Sequence, residues 1–177
     1  MRRFLSEENL EIHKRECDTL RARLSIYEKS LPEIKGKSIR EIRKMRIPND
    51  YKEDILPIMR SLMLHKVYFS SFSNQPSATR EIKKYYPSKE SFIFSLLEAA
   101  KNEDGGFLCL YKTAGAPRII VTNEKDGSLT DEPSLCIDIS EHAYFLDYLF
   151  NKDKYLKSAL SYLNLDTLFS DYEKFSQ

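Results

Sequence analysis

The sequence predicts an α+β protein: a long N-terminal helical hairpin, then a C-terminal α/β half built on a small three-stranded antiparallel sheet. Three observations carry this. Apolar residues recur at helical spacing through two long stretches of the first half. Short β-type runs replace that spacing after residue 106. Helical patterning then returns after residue 140. No segment repeats, and 177 residues suffice for one solid core or two small ones.

Ser6 is placed to cap a first helix, with acidic residues following it as a helix N-terminus prefers. Leu10, Cys17, Leu20, Leu24 and Tyr27 extend the pattern, so residues 7 to 30 read as one helix that Pro32 ends. LPEIKGKSIREIRKMRIPND, the most basic stretch, reads as a solvated connector with a short helical piece at 38 to 45. A second long helix runs from about Tyr51 to Ser71, with Ile55, Ile58, Leu62, His65 and Phe69 on its apolar side. Turn residues fill 73 to 87 and mark the boundary between a helical domain, 1–75, and an α/β domain, 85–177. Ser88 caps a helix reaching about Lys101, and NEDGG closes it. FLCLYK (107–112) and PRIIVTN (117–123), joined by TAGA, predict a hairpin, and SLCIDI supplies a third strand. Helices at roughly 140–150, 153–163 and 165–175 complete the chain.

Composition removes several classes of function. A net charge of +1 gives no field that favours nucleic acid or an anionic membrane surface. No apolar run approaches the roughly 18 residues of a membrane span. The opening MRRFLSEENLEIH turns polar at once, so a cytoplasmic protein is expected. Cys17, Cys109 and Cys136 are odd in number and lack CxxC spacing, which argues against a disulfide framework and a zinc knuckle.

The three histidines hold the chemistry. His13 shares a helix side with Leu10, Cys17 and Leu20, and His65 lies on the apolar stripe of the second helix. His142 follows Asp138 by four residues in DISEHAYF. Each alone is readily a core imidazole. Together with Asp138 they make an N3O set suited to a redox-active first-row metal with an open position, and spacing alone does not exclude zinc.

These residues carry a family resemblance. From about Leu5 to its end the chain resembles the iron/manganese superoxide dismutases. In that family the last two ligands lie in Asp-x-Trp-Glu-His-Ala-Tyr; here the run is Asp138-Ile139-Ser140-Glu141-His142-Ala143-Tyr144. The first follows Ile-Ser-x-Glu-Thr-x-Glu-x-His, similar to Leu5 through His13, and the second lies in His-x-x-Tyr-Trp, similar to His65 through Phe69. The glycine-rich lead-in to the sheet resembles Asp104-Gly105-Gly106-Phe107, and a late Arg-Pro-x-Tyr-Leu resembles Lys152 through Leu156. The resemblance implies one iron or manganese ion per chain, held by His13, His65, Asp138 and His142, with superoxide as substrate. It also implies a homodimer in which Glu141 crosses the two-fold interface to the partner's equivalent histidine.

The departures surround those ligands. Funnel positions occupied in the family by a histidine and a tyrosine are Cys17 and Arg21. The chain has no tryptophan, and Phe107, Cys109 and Ser140 stand where family tryptophans wall the pocket. Phe145 replaces a tyrosine that reaches the partner's funnel, and Ser61 replaces the iron enzymes' glutamine. Glu124 stands where manganese enzymes carry an outer-sphere glutamine. Glu124 and Arg21 are therefore the expected catalytic substitutes, an arginine–carboxylate pair replacing a tyrosine–glutamine hydrogen bond. The expected function is a metal-dependent superoxide dismutase. The alternative is a non-catalytic relative that keeps the fold, with or without a metal, as a structural or interaction protein. A metal-assisted hydrolase or oxidase would need a docked substrate that no motif defines.

Overall fold

The computed structural model describes residues 4–73 and 82–169. Helix α1 (Glu7–Ser30) begins where the Ser6 hydroxyl accepts from the Asn9 N–H at 3.1 Å, with Glu7 and Glu8 in its first turn. Its buried positions are Asn9, His13 and Cys17, so its inward stripe is polar at that end. Helix α3 (Asn49–Ser70) packs along it. Tyr27, late in α1, donates to the Asp54 carboxylate early in α3, while His13 faces His65 late in α3, so the two helices run antiparallel.

The connector is more than a solvated face. Ser38 and Glu41 form a capping box that starts the short α2 (Ile39–Lys44). Ile34 and Ile42 turn inward and meet Ile55 of α3, with Leu24, Tyr27 and Leu31 packed around them. This small second core locks the far end of the hairpin.

Helix α4 (Lys89–Ala100), capped by Ser88, covers one face of the sheet. Strands β1 (Phe107–Tyr111) and β2 (Arg118–Thr122) form the expected hairpin, and β3 (Leu135–Asp138) pairs with the other edge of β1. The order is β2-β1-β3, antiparallel throughout. Helices α5 (Glu141–Tyr148), α6 (Lys152–Tyr162) and α7 (Asp166–Phe169) follow. The expected final helix extends past Phe169 into residues outside those described, as does most of the expected domain boundary at 73–87. Among the described residues no helix is long and apolar enough to cross a membrane.

The main core joins Leu64, Val67 and Tyr68 of α3 to the sheet, to Phe92 and Leu96 of α4, and to Tyr155, Leu156 and Leu160 of α6. The stripe of α3 therefore differs from the expected one. Leu62 is half-buried and Phe69 exposed, whereas Leu64 and Tyr68 are buried, because the helix packs on β3 as well as on α1.

Arg60 ties the hairpin to the sheet's long loop. Its guanidinium is buried and donates to the carbonyls of Leu129 at 3.1 Å and Glu124 at 3.2 Å. Arg60→Met keeps the stem but strips both acceptors of their donor. We expect a loss of about 2–3 kcal/mol in urea unfolding. A loss below about 0.5 kcal/mol would show that the loop is held elsewhere.

Candidate metal centre

Four segments distant in sequence deliver the site. On α3, Nδ1 of His65 lies 2.8 Å from the Ser61 carbonyl oxygen one turn back. That carbonyl can only accept, so Nδ1 carries the proton and the Nε2 lone pair faces inward. On β3, Asp138 stands opposite Phe107 of β1. Its Oδ1 accepts from the Ser140 N–H at 2.9 Å, and its backbone carbonyl accepts from the buried Tyr155 hydroxyl at 2.7 Å. Those bonds fix the carboxylate so that Oδ2 projects toward α1 and α5. His13 Nε2 is 3.2 Å from it, His142 Nε2 is 3.1 Å and His65 Nε2 is 3.8 Å.

One ligand atom from each of these four residues lies within 4.8 Å of all the others. His13, His65 and Asp138 are buried; His142 is 41% exposed. The Nε2 of His65 is buried without a hydrogen-bond partner among the described residues. An imidazole lone pair left unfilled in the interior is costly. Three ring nitrogens grouped about one carboxylate oxygen, one of them unpaired, fit a divalent or trivalent first-row cation.

Electrostatics favour the ionised carboxylate that a cation requires. Burial alone would raise the Asp138 pKa, but its hydrogen bonds with His13 and His142 hold it well below the usual carboxylate range. Burial would lower the His142 pKa, yet the hydrogen bond and charge of Asp138, with the charges of Glu16 and Glu124, leave it raised.

Glu16 is the residue that the sequence reading missed. It lies on α1 three residues after His13, and its Oε2 is 3.4 Å from His142 Nε2. The (i, i+3) spacing from His13 was the available signal, but it is common on exposed helices. Glu16 joins Glu53, Asp54, Glu124, Arg23 and Lys125 in lining a cavity of about 590 Å³ that reaches His65 and His142. Of the tryptophan replacements, Phe107 sets its ring edge-on to His65 at 5.2 Å, and Ser140 accepts from the Gly106 N–H at 3.0 Å. Cys109 is buried within the sheet, and Cys17 is buried on α1.

Glu124 lines the cavity, but Arg21 does not join it. Arg21 pairs with Asp18 at 2.8 Å on the exposed side of α1, and among the described residues no ion pair links it to Glu124. Helical geometry explains this. Eight residues turn the helix about 80° past His13, whereas seven return to within about 20°, and Leu20 accordingly lines the cavity. In a double-mutant cycle on metal affinity, Arg21→Met and Glu124→Gln should therefore combine additively. A coupling above about 0.5 kcal/mol would mean that the two side chains meet in solution. Glu141 is exposed in the first turn of α5, and Phe145 is partly exposed beyond it.

The profile of the iron/manganese superoxide dismutase C-terminal domain matches residues 52–170. A protein named mitochondrial manganese superoxide dismutase, from Neurospora crassa, is 34% identical over 99 residues. That match covers 52% of this chain and 40% of the relative's length.

Proposed function

The chain belongs to the iron/manganese superoxide dismutase family, and from that premise we propose that it is a metal-dependent superoxide dismutase. His13, His65, Asp138 and His142 would hold one iron or manganese ion per chain. The observation that carries this is their convergence, with the buried Nε2 of His65 left without a hydrogen-bond partner among the described residues. When bound, such a metal supplies one-electron redox chemistry, converting superoxide to oxygen and hydrogen peroxide. The chain's own residues do the rest. Ser61 orients His65 through its carbonyl, and Ser140 and Tyr155 hold Asp138 in place. Phe107 walls the ligands against the sheet. Glu124 and Glu16 place carboxylates at the cavity.

Metal analysis of the purified protein beside a superoxide-consumption assay tests the proposal. Iron or manganese near one ion per chain, with turnover lost on chelation, is the expected result. Metal without turnover would favour a second reading, a non-catalytic relative that retains its ion. The cavity's charge supports that second reading: Glu16, Glu53, Asp54 and Glu124 outnumber Arg23 and Lys125, an unfavourable field for an anionic substrate. Absence of metal would overturn the first. A cytoplasmic location belongs to the proposal, since three free thiols suit a reducing compartment.

The proposal includes a homodimer through α5. Beside the exposed His142, that helix presents Phe145 and Leu146, and the following turn presents Leu149 and Phe150. Leu149 adopts φ 53°, a strained conformation for a leucine, while remaining exposed. A second copy covering this surface would bury His142 and bring Glu141 to its partner's equivalent histidine. Glu141→Ala should then give monomers with reduced metal content. An unchanged dimer with full metal, seen by light scattering and metal analysis, would count against the bridge.

A further inference from the structure

Two of the three cysteines face each other across the sheet. Cys109 of β1 and Cys136 of β3 are direct partners in the antiparallel register. Their kind of pairing follows from the hydrogen bonds. The Ile139 N–H donates to the Gly106 carbonyl at 2.8 Å, so that pair is hydrogen-bonded. Alternation along the ladder then makes Leu108–Ile137 hydrogen-bonded and Cys109–Cys136 non-hydrogen-bonded. The Cys136 N–H agrees: it points away from β1 and donates to the Ser71 hydroxyl at 2.8 Å. Non-hydrogen-bonded partners stand about 4.5 Å apart at Cα, with side chains on one face, inside the roughly 4.4–6.8 Å that a disulfide spans. Both side chains are fully buried and both thiols are free.

We propose that Cys109 and Cys136 form a redox-active dithiol that a hydroperoxide, of which hydrogen peroxide is the smallest, oxidises to a disulfide joining β1 and β3. One sulfur attacks the peroxide O–O bond, giving a sulfenic acid and, from hydrogen peroxide, one water. The second sulfur displaces the hydroxyl from the first, forming the S–S bond and releasing a second water. Two thiol hydrogens leave in the waters, the dithiol loses two electrons and the peroxide gains them.

The bridge would change the neighbourhood of two of the grouped side chains. The Cys136 thiol donates to the Leu64 carbonyl at 3.1 Å, beside His65, and Cys136 lies two residues from Asp138 along β3. Oxidation removes that donor. Dithiol oxidation requires no metal and no turnover at the neighbouring site, so its test stands apart from the proposed activity.

Native protein, with and without metal, is treated with hydrogen peroxide and separately with diamide. It is then denatured in N-ethylmaleimide without reductant and digested for mass spectrometry. Labelled thiols should fall from three to one, leaving Cys17, with two hydrogens lost and a Cys109–Cys136 cross-linked peptide present. Reductant should restore all three labels. Cys17→Ser should keep the cross-link. Full labelling of Cys109 and Cys136 after diamide overturns the proposal. So does sulfinic acid at either position in place of the link, or a link that runs to Cys17 or between chains.

Discussion

His65→Gln should empty the metal centre and leave the fold standing. His65 is nearly fully buried, and its Nδ1 is committed to the Ser61 carbonyl, so Nε2 is its only atom free to ligate. Glutamine matches the imidazole in length and keeps an N–H for that carbonyl, but presents a weakly donating amide oxygen in place of the nitrogen lone pair. Losing an outer partner of a ligand typically costs 10- to 100-fold in affinity. Losing a ligand should exceed that, so metal affinity is expected to fall by more than about 100-fold. The unfolding free energy of metal-free protein should fall by only about 1–2 kcal/mol, because volume and one hydrogen bond survive. Equilibrium dialysis against manganese and iron, with urea titrations of the metal-free forms, measures both. If His65 were simply a packed core imidazole, metal content would not change, and that result would end the proposed assignment.

The sequence was informative wherever neighbours along the chain determine the outcome. The two long helices follow from apolar spacing and from caps such as Ser6, and the β1–β2 hairpin from two β-type runs across a short turn. Contacts between distant segments were less legible. Nothing local says that β1 lies between β2 and β3, because that order depends on pairing Phe107 with Asp138. Ile34 and Ile42 were hidden among lysines and arginines, and only Ile55, beyond the connector, reveals them as core. The same holds within the site. Repeated motif spacing brought His13, His65, Asp138 and His142 forward, and the fold groups them. Glu16 escaped because a carboxylate three residues from a histidine looks like any surface acid until α5 places His142 beside it. Arg21 was drawn toward the site by its match to the family's funnel tyrosine, although 3.6 residues per turn give that direction to Leu20.

Gly106 should prove the least replaceable glycine, for a reason that separates two energies. Its φ of 95° lies where an L-residue is strained, and a Cβ there would meet the Thr122 carbonyl oxygen at 2.4 Å, a backbone atom that cannot swing away. Gly36 has a φ of 72° and nothing within 4 Å of an added Cβ. Gly36→Ala therefore measures the left-handed conformation alone, about 1–2 kcal/mol. Gly106→Ala adds the clash, and should cost roughly 3–5 kcal/mol in all. The damage should also reach the metal centre. The Gly106 N–H donates to the Ser140 hydroxyl, and its carbonyl accepts from Ile139, so this residue binds the start of β1 to the segment between Asp138 and His142. Relief of the clash must move that segment, and retained metal should fall in Gly106→Ala but not in Gly36→Ala. Urea midpoints and metal content of the two variants decide the matter. Equal losses of stability would show that the strand shifts freely and that the close approach to Thr122 does not constrain the site.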